Sequence, residues 1–460
     1  MSVQSFKEAS FSEAILKAVD ALGFVEPTPV QAQAFPILLS GRDLLAVAQT
    51  GTGKTAAFAL PILERIAQGE AVKTGTAANV ARPFALILAP TRELASQIEK
   101  NIRDYARFLP IKMALLVGGV GLVHQVRALE SAPQIIIATP GRLMDHMRNN
   151  RVDLSELSAL VLDEADRMLD MGFIDDILKI LKKCPTDAQR TLFSATVTHD
   201  VKDLAERLLN RPRLIEIAPN RDVDAIEQKV YRVKKTDKHR LLRDLIVDGQ
   251  WEQVLVFTRL KTGATKLAKE LLKDGFSVES LHGDRTQAAR TKALSRFKDK
   301  TVQILVATDV AARGIDIESL PYVVNFDLPT HAEDYVHRIG RTGRAGKTGL
   351  AVSFVEPTET LRLAAIEKLI GKRLPIDNLA PDVPDDVPDA PQATKVKTTD
   401  KVPSNSKKPS RAKQPSRERQ TSRLNDAQNR NKQTNRRAED RSQKRKAKPA
   451  VEFDYVMPDF

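Results

Sequence analysis

Short apolar runs alternate with helical patterns along most of this chain, up to about residue 370. Such alternation is typical of βαβ units, in which helices cover both faces of a parallel sheet. The runs form two series, separated by a polar stretch with two prolines at residues 210–228. We therefore expect an α/β fold of two tandem parallel-sheet domains with a cleft between them.

The predicted strands are apolar segments bounded by polar residues. In the first domain they are Leu44–Val47, Ala85–Ala89, Ala114–Val117, Gln134–Ala138, Ala159–Asp163 and Arg190–Phe193. In the second domain they are Gln253–Phe257, Val278–Leu281, Gln303–Ala307, Tyr322–Phe326 and Leu350–Phe354. The predicted boundaries are 1–212 for the first domain, 213–226 for a linker, 227–375 for the second domain and 376–460 for a tail. Because open parallel sheets bind ligands at the carboxyl ends of their strands, the segments that follow each strand are the candidate sites.

The tail carries the excess positive charge of the chain. Residues 392–450 hold 19 Lys and Arg against 5 Asp and Glu, and the whole chain has a formal net charge of +13. These residues include no Phe, Trp or Tyr, so they cannot bury enough apolar area to offset the entropy of ordering. We expect a disordered basic tail that binds RNA, preceded by a stiff Pro- and Asp-rich spacer at 380–391.

Composition also limits the class of protein. The chain has no apolar run near the roughly 20 residues that a membrane span needs. Its N-terminus carries Glu8, Glu13 and Asp20 in an amphipathic pattern, unlike a secretory signal. The single cysteine, Cys184, excludes a disulfide framework and a Cys-based metal site. We expect a monomeric cytoplasmic protein without a membrane partner.

The stretch AVAQTGTGKT at 46–55 follows the first predicted strand and precedes a helical pattern. It departs from the general phosphate-loop pattern GxxxxGK[ST], because Ala48 stands where that pattern has its first glycine. Gly51 and Gly53 still allow backbone amides to turn toward a phosphate chain at a helix N-terminus, and Lys54 supplies positive charge. A nucleotide site is favoured over a structural glycine-rich turn.

A second acidic motif, ALVLDEAD at 159–166, ends another predicted strand. Asp163 is placed to hold Mg²⁺ together with the hydroxyl of Thr55, and Glu164 is placed to polarise an attacking water. The alternative is an exposed acidic helix start, since acids suit first turns. The presence of Lys54 and Thr55 in the same chain favours the catalytic interpretation.

These motifs resemble those of the DEAD-box family of ATP-dependent RNA helicases, over about residues 4–370, and within it the bacterial RhlE-type branch. The family's own loop reads A-x-T-G-x-G-K-T, so Ala48 fits it. The resemblance implies two RecA-like domains, with ATP and Mg²⁺ as cofactors. The stretch GFVEPTPVQ (23–31) resembles the family's adenine-recognising motif. The resemblance implies that Gln31 forms hydrogen bonds with the adenine edge and that Phe24 packs near the base. Phe6 matches the isolated upstream aromatic residue that supports this motif.

The resemblance also assigns roles to the remaining motif residues. Contacts with the nucleotide are implied for Phe24, Gln31, Ala48, Gln49, Thr50, Gly51, Thr52, Gly53, Lys54, Thr55 and Asp316. Catalysis is implied for Lys54, Asp163 and Glu164 and for two arginine fingers, Arg341 and Arg344. Coupling of the domains is implied for Asp166, Ser194, Thr196 and His337, with Ser194 and Thr196 bonding back to the DEAD segment. RNA contacts are implied for Thr91, Arg92, Gly119, Thr139, Arg142, Arg259, Gly283, Gln287, Arg290 and Thr308.

The implied function is an RNA-dependent ATPase that binds RNA largely without reading its sequence. ATP-driven closure of the cleft would separate short duplexes locally, and hydrolysis would release the RNA. The implied role is in ribosome assembly or RNA turnover. Two alternatives remain open: an RNA chaperone that acts through its tail, and an ATP-gated RNA clamp that nucleates a larger assembly.

The last ten residues, VEFDYVMPDF (451–460), reverse the character of the tail. Apolar residues at 451, 453 and 455 alternate with acids at 452 and 454, which is the period of an extended strand with one apolar face. We expect a docking peptide that binds a protein partner or folds back on the core. The alternatives are a frayed chain end and weak pairing of the acids with the basic tail.

Overall fold

The computed structural model describes residues 2–49, 51–73, 75–77, 80–217, 226–312, 320–343, 349–378 and 454–455. In the first domain the strands are β1 (Leu44–Val47), β2 (Gly75–Ala77), β3 (Val80–Arg82), β4 (Ala85–Leu88), β5 (Met113–Leu116), β6 (Ile135–Ala138), β7 (Ala159–Leu162), β8 (Gln189–Ser194) and β9 (Arg213–Glu216). The helices are α1 (Glu13–Ala21), α2 (Pro29–Leu39), α3 (Lys54–Ala67), α4 (Arg92–Tyr105), α5 (Leu122–Glu130), α6 (Pro140–Arg148), α7 (Ala165–Asp170), α8 (Ile174–Leu181) and α9 (His199–Leu208).

The second domain repeats the pattern on a smaller scale. Its strands are β10 (Ile226–Arg232), β11 (Val254–Thr258), β12 (Val278–Leu281), β13 (Ile304–Thr308), β14 (Tyr322–Asn325), β15 (Gly349–Val355) and β16 (Ile376–Asn378). Its helices are α10 (Lys238–Asp248), α11 (Lys261–Lys273), α12 (Gln287–Lys298), α13 (Asp309–Ala312), α14 (Ala332–Ile339) and α15 (Thr360–Ile370). A last strand, β17 (Asp454–Tyr455), belongs to the first domain's sheet.

Both large sheets are parallel throughout. The first has the order β17-β9-β1-β8-β7-β4-β6-β5, and the second has the order β12-β13-β11-β14-β15-β10-β16. Strands β2 and β3 form a separate antiparallel pair. The predicted fold class, two RecA-like parallel-sheet domains, is therefore confirmed. The predicted disorder of the tail falls on residues outside the described ranges, apart from 376–378 and 454–455.

Strand β4 shows why the strands are apolar on both sides. Ala85 and Ile87 belong to one buried cluster, whereas Leu86 and Leu88 belong to another, and all four side chains are fully buried. Successive side chains of a strand point to opposite faces, so helices must cover both faces of this sheet. That burial explains the uninterrupted apolar runs in the sequence.

Strands occupy the segments at two of the predicted boundaries. The predicted linker, 213–226, begins with β9, which pairs in parallel with β1, and it ends at Ile226, the first residue of β10. The predicted tail begins with β16, which pairs with β10. The prolines near β9 suggested a linker, but a proline is compatible with the start of a strand, where its missing N–H is not needed by the ladder. Buried residues of β10 alternate with exposed or half-buried ones from Ile226 to Tyr231, as expected for a partly exposed strand.

Candidate active site

The loop between β1 and α3 turns sharply at two glycines. Gly51 and Gly53 have φ angles of 84° and 87°, a left-handed conformation that glycine adopts at little cost. Gly53 immediately precedes α3, so the unpaired amides of the helix N-terminus lie at the loop. The buried Lys54 donates from Nζ to the carbonyl oxygen of Ala48 at 3.0 Å. The loop therefore combines the features of an anion site with a lysine held inside it.

Gln31 links this loop to helix α2. Its Oε1 accepts from the amide of Thr28 at 3.0 Å, and its Nε2 donates to the carbonyl oxygen of Gly53 at 3.1 Å. The Thr28 hydroxyl donates to the carbonyl oxygen of Thr52 at 2.8 Å. A Cβ on Gly53 would lie 2.4 Å from Gln31 Nε2, so a larger residue would displace this amide. A primary amide has two hydrogens and two lone pairs, which leaves Gln31 able to make the predicted adenine contact as well.

Aromatic rings support the segment before α2. The rings of Phe6 and Phe24 are stacked with centroids 6.2 Å apart, and Phe6 lies 6.0 Å from Phe35. Phe24 also meets Tyr105 edge-on at 6.1 Å. Phe6 is buried and Phe24 is half-buried. The predicted support of Phe24 by Phe6 thus corresponds to a contact between their rings in the structure.

Asp163 directly follows β7 and is 3% exposed. Burial raises the pKa of its carboxyl to about 6; the charge of Lys54 opposes this rise, and Glu164 and Asp166 add to it. Its Oδ1 accepts from the amide of Glu164 at 3.0 Å. A buried carboxylate and the Thr55 hydroxyl are the hard oxygen donors that Mg²⁺ takes together with phosphate oxygens and water, so these residues fit the predicted ion. Within the described ranges, no group of three or more His, Cys, Asp or Glu could hold another metal ion.

Glu164 sits in a strained backbone conformation at the start of α7. Its φ of 53° and ψ of 55° are left-handed, which is uncommon for a residue with a side chain. The carboxylate forms a buried ion pair with Arg167, with Oε2 3.0 Å from Nη1. Arg167 is not among the predicted site residues, although its spacing of three residues from Glu164 on a helix is a usable signal. The pair fixes the orientation of the carboxylate.

Asp166 connects the DEAD segment to the segment after β8. Its Oδ2 accepts from the amide of Ala195, the amide of Thr196 and the hydroxyl of Thr196, each at 3.1 Å. The Ser194 hydroxyl, in contrast, donates to the carbonyl oxygen of Thr196 at 2.7 Å, so its expected bond to the DEAD segment is not present. Ser194 is fully buried at the end of β8, where its nearest acceptor is within its own turn. The hydrogen bonds between the two segments are therefore made by Asp166 with Ala195 and Thr196.

A cavity of about 210 Å³ lies between the domains. Glu164, Asp166 and Thr196 line it from the first domain, and His337 and Arg341 line it from the second. Arg341 is 5% exposed. The structure thus brings the predicted catalytic acid, three of the four predicted coupling residues and one predicted arginine finger to a single cleft.

Arg338, three residues before Arg341, anchors this part of the second domain. Its guanidinium donates to both carboxylate oxygens of Asp309 at 2.6 and 2.7 Å, to Asn325 Oδ1 at 3.1 Å and to the carbonyl oxygen of Asp327 at 2.6 Å. Arg338 is 2% exposed and lies over the ring of Phe257, 5.0 Å from its centroid. A buried bidentate arginine with further acceptors is a rigid arrangement.

The predicted RNA residues of the first domain lie where strands give way to helices. Thr91 caps α4 by accepting from the amide of Leu94 at 3.2 Å, and Thr139 occupies the same position before α6. Arg92 lies over the backbone of Gly118 and Gly119; a Cβ on Gly119 would be 2.2 Å from Arg92 Nη1. Arg142, in the first turn of α6, lies 3.9 Å from Asp145. The glycines keep the backbone open for the arginine.

The second domain gives several predicted RNA residues protein partners. Gln287 Nε2 donates to Glu93 Oε1 at 2.9 Å, and Arg290 Nη2 lies 2.9 Å from Glu93 Oε2. Arg259 pairs with Glu359. The first two contacts join α12 to α4, so they bridge the domains. A cavity of about 640 Å³ beside them is lined by residues of both domains, including Gly119 and Gln287.

The other predicted RNA residues of this domain have simpler surroundings. Gly283 is exposed, and a Cβ added there would meet nothing within 4 Å. Thr308 is buried at the end of β13. Thr50, Asp316 and Arg344 lie outside the described residues, so their predicted roles remain predictions.

Comparisons with known proteins agree with this arrangement. Residues 28–204 match the DEAD/DEAH box helicase family, and residues 237–346 match the helicase conserved C-terminal domain. The DEAD-box ATP-dependent RNA helicase CshA of Bacillus subtilis (strain 168) is 42% identical over 371 residues, which cover 80% of this chain and 73% of that protein. The chain belongs to the DEAD-box family of ATP-dependent RNA helicases.

Solved helicase structures show the same two-domain architecture. S. cerevisiae Dbp5, bound to RNA and ADP BeF3, matches 82% of this chain and 96% of its own at 34% identity, with a TM-score of 0.71. Mss116p, bound to ssRNA and AMP-PNP, matches 83% of this chain and 80% of its own at 30% identity, with a TM-score of 0.73. This DEAD-box protein is therefore an ATP-binding enzyme, an RNA-dependent ATPase.

Three residues of the helicase that were not predicted as site residues lie beside predicted ones. Glu93, Asp309 and Arg338 stand inside or beside recognised motifs, but their partners are far away in sequence. Only the position of each residue next to a predicted site residue could have drawn attention to it.

In the described part of this helicase, no helix is both long and apolar enough to span a bilayer.

Proposed function

We propose that this DEAD-box helicase binds single-stranded RNA and short duplexes across both domains, without reading their sequence. ATP closes the cleft and strains one strand away from the other, and hydrolysis reopens the cleft and releases the RNA. The observation that carries this proposal is the 210 Å³ cavity, which Glu164 and Asp166 share with His337 and Arg341 of the other domain. A site built from two domains is complete only when they are together, so nucleotide and domain closure must favour each other.

In this proposal the first domain holds the nucleotide. Lys54 contacts the β- and γ-phosphates, and Glu164 orients the attacking water. Asp163 and the Thr55 hydroxyl hold Mg²⁺, which neutralises charge on the phosphates when bound. The raised pKa of Asp163 supports this role, because a buried carboxylate that lacks a full counter-charge is stabilised by a cation.

Arginine fingers complete the site from the second domain. Arg341 lines the cavity opposite Glu164, and we assign Arg344 the same role from the motif spacing. Phosphoryl transfer depends mainly on positioning and charge stabilisation, so an arginine that arrives only on closure makes hydrolysis depend on closure. RNA that favours the closed state therefore stimulates hydrolysis.

The RNA path is proposed to run over Thr91, Arg92, Gly119, Thr139 and Arg142. These residues offer hydroxyls, guanidinium groups and accessible backbone amides, which suit phosphate and ribose contacts and carry no base code. The RNA present in the Dbp5 and Mss116p structures supports this class of ligand. Gln287, Arg290 and Arg259 would have to share or release their carboxylate partners to join it.

The cellular setting is also a proposal. The CshA relative is bacterial, which supports a bacterial cytoplasmic enzyme acting in ribosome assembly or RNA turnover. The RhlE-type assignment rests on VLDEADRMLDMGF and on the basic tail, whereas the relative bears a different name. We propose that the enzyme acts as a monomer, because both halves of the cleft come from one chain.

Two variants test the division of roles. Lys54→Ala should weaken both ATP binding and turnover, because it removes charge at the phosphates. Glu164→Gln should retain ATP-dependent RNA binding while hydrolysis stalls, because it keeps the phosphate contacts. Filter binding of a labelled single-stranded RNA, with and without ATP, measures the difference. Loss of ATP-dependent RNA retention in Glu164→Gln would contradict the proposed roles.

The same proteins distinguish a helicase from an RNA clamp. Wild-type protein should separate a short RNA duplex only when ATP is present, and Glu164→Gln should bind the strands without repeated separation. If wild-type protein hydrolyses ATP in the presence of RNA but never releases a strand from a duplex of about ten base pairs, the clamp alternative is favoured.

A further inference from the structure

The last strand of the chain lies on the edge of the first domain's sheet. Asp454 and Tyr455 form β17, which pairs in parallel with β9; Asp454 is in register with Arg213, and Tyr455 with Leu214. Strand β9 lies between β17 and β1, the strand that leads into the phosphate loop. The nucleotide and RNA sites described above do not involve this edge.

Strand β9 has backbone groups that need such a partner. Its amides at Arg213 and Ile217 donate to the carbonyl oxygens of Asp43 and Val47, both at 2.9 Å, on the β1 side. Backbone groups alternate sides along a strand, so the amide and carbonyl of Leu214 face the opposite edge. An unpaired edge of this kind is a template for pairing with another strand. In a parallel ladder of this register the C=O of Asp454 accepts from the amide of Leu214, and the N–H of Asp454 donates to the carbonyl oxygen of the residue before Arg213.

The sequence of the terminal segment matches this position. Apolar and acidic residues alternate from Val451 to Tyr455, directly after 59 residues without an aromatic. The backbone register pairs Asp454 with Arg213 and Tyr455 with Leu214. Leu214 is half-buried against the core, so the edge offers an apolar surface as well as hydrogen bonds.

We propose that residues 451–460 are an intramolecular docking strand that closes the β9 edge of the first sheet. The chain therefore leaves the second domain after β16 and returns to the first domain at β17.

Hydrogen exchange in the full-length protein tests the docking strand directly. Asp454→Pro removes the N–H that faces β9, and Asp454→Asn, the matched control, removes only the charge. A flexible connection gives an effective concentration on the order of 1 mM, so a segment that binds with a Kd of about 0.1 mM as a free peptide would slow exchange roughly tenfold. We expect Asp454→Pro to abolish that protection at Leu214, while Asp454→Asn keeps most of it. The amides of Arg213 and Ile217 serve as internal references.

Three results would overturn the proposal. The first is unchanged exchange at Leu214 in Asp454→Pro. The second is protection that increases with protein concentration, which would show that the strand comes from a second copy. The third is failure of a synthetic VEFDYVMPDF peptide, at millimolar concentration, to restore protection in Asp454→Pro. Because none of these measurements involves ATP or RNA, their outcome is independent of the helicase activity.

Discussion

Replacing Asp163 with asparagine should make the ligand-free protein more stable. Burial raises the pKa of this carboxyl from 3.8 to about 6. Each pKa unit corresponds to about 1.4 kcal/mol, so keeping the carboxylate ionised at pH 7 costs roughly 3 kcal/mol. Asparagine has the same shape without the charge. Because Lys54 loses a nearby opposite charge, we expect a gain of about 1–3 kcal/mol in the free energy of unfolding, or roughly 2–10 °C in the Tm of the first domain.

The pH dependence of this effect has a defined sign. The folded-state pKa of Asp163 lies above its unfolded value, so the folded state binds the proton more tightly. Its contribution to stability is fully present below about pH 4 and is lost as the pH rises through about 6. The advantage of Asp163→Asn should therefore be largest at pH 7 and vanish near pH 4.

Thermal unfolding with EDTA and without nucleotide, between pH 4 and 8, measures this advantage. Asp187→Asn, a change at an exposed acid, is the control and should alter Tm little. Addition of Mg²⁺ and a non-hydrolysable ATP analogue should reverse the order, because only the wild type keeps the carboxylate for the cation. An Asp163→Asn protein that is no more stable than wild type at pH 7 without ligands would refute the reasoning.

Three further predictions concern the arginine fingers, the RNA path and the tail. Arg341→Ala or Arg344→Ala should lower RNA-stimulated hydrolysis by about 10³-fold or more, and a drop below about tenfold at saturating RNA would argue against a finger. Gly119→Ala should raise the RNA concentration needed for half-maximal ATPase activity and leave ATP affinity unchanged. A Cβ at this position would collide with Arg92, and the φ of 74° is a left-handed conformation that disfavours a side chain. An unchanged RNA requirement would show that this glycine is not part of the RNA path. Deletion of 392–460 should raise the same RNA concentration and flatten its dependence on salt, with a nearly unchanged maximal rate, since counterion release by 19 cations is lost. An unchanged salt slope would favour a merely solubilising tail.

The apolar core strands were predictable because burial on both faces leaves a clear sequence pattern. Leu44–Val47 and Val278–Leu281 have the predicted bounds, and the other predicted strands shift by only a residue or so at their ends. The strands that were missed lie at or next to the edges of the sheets, where one side is exposed and polar residues are allowed. Such strands, β9, β10 and β16, resemble linkers in composition.

Most motif residues could be located by their resemblance to the family's motifs, and these motifs follow strands because open parallel sheets bind ligands at the carboxyl ends of their strands. The ion-pair partners of these motifs could not be located from the sequence. Glu93 meets Arg290, and Asp309 meets Arg338, only after the fold has brought distant segments together, and a single ion pair has no periodicity to detect. The bond between Ser194 and its own turn was hidden for a related reason: a hydroxyl has several acceptors within reach, and sequence does not rank them.

The anchoring of Arg338 has a consequence for the kinetics of the enzyme. Because its guanidinium is already bonded to Asp309, Asn325 and Asp327, the chain leading to Arg341 has given up its conformational entropy before any ligand arrives. The proposed arginine finger, Arg341, would then reach a phosphate through a rigid-body displacement of the second domain, with no loop to be ordered at the moment of reaction. The frequency of that displacement would set an upper limit on turnover.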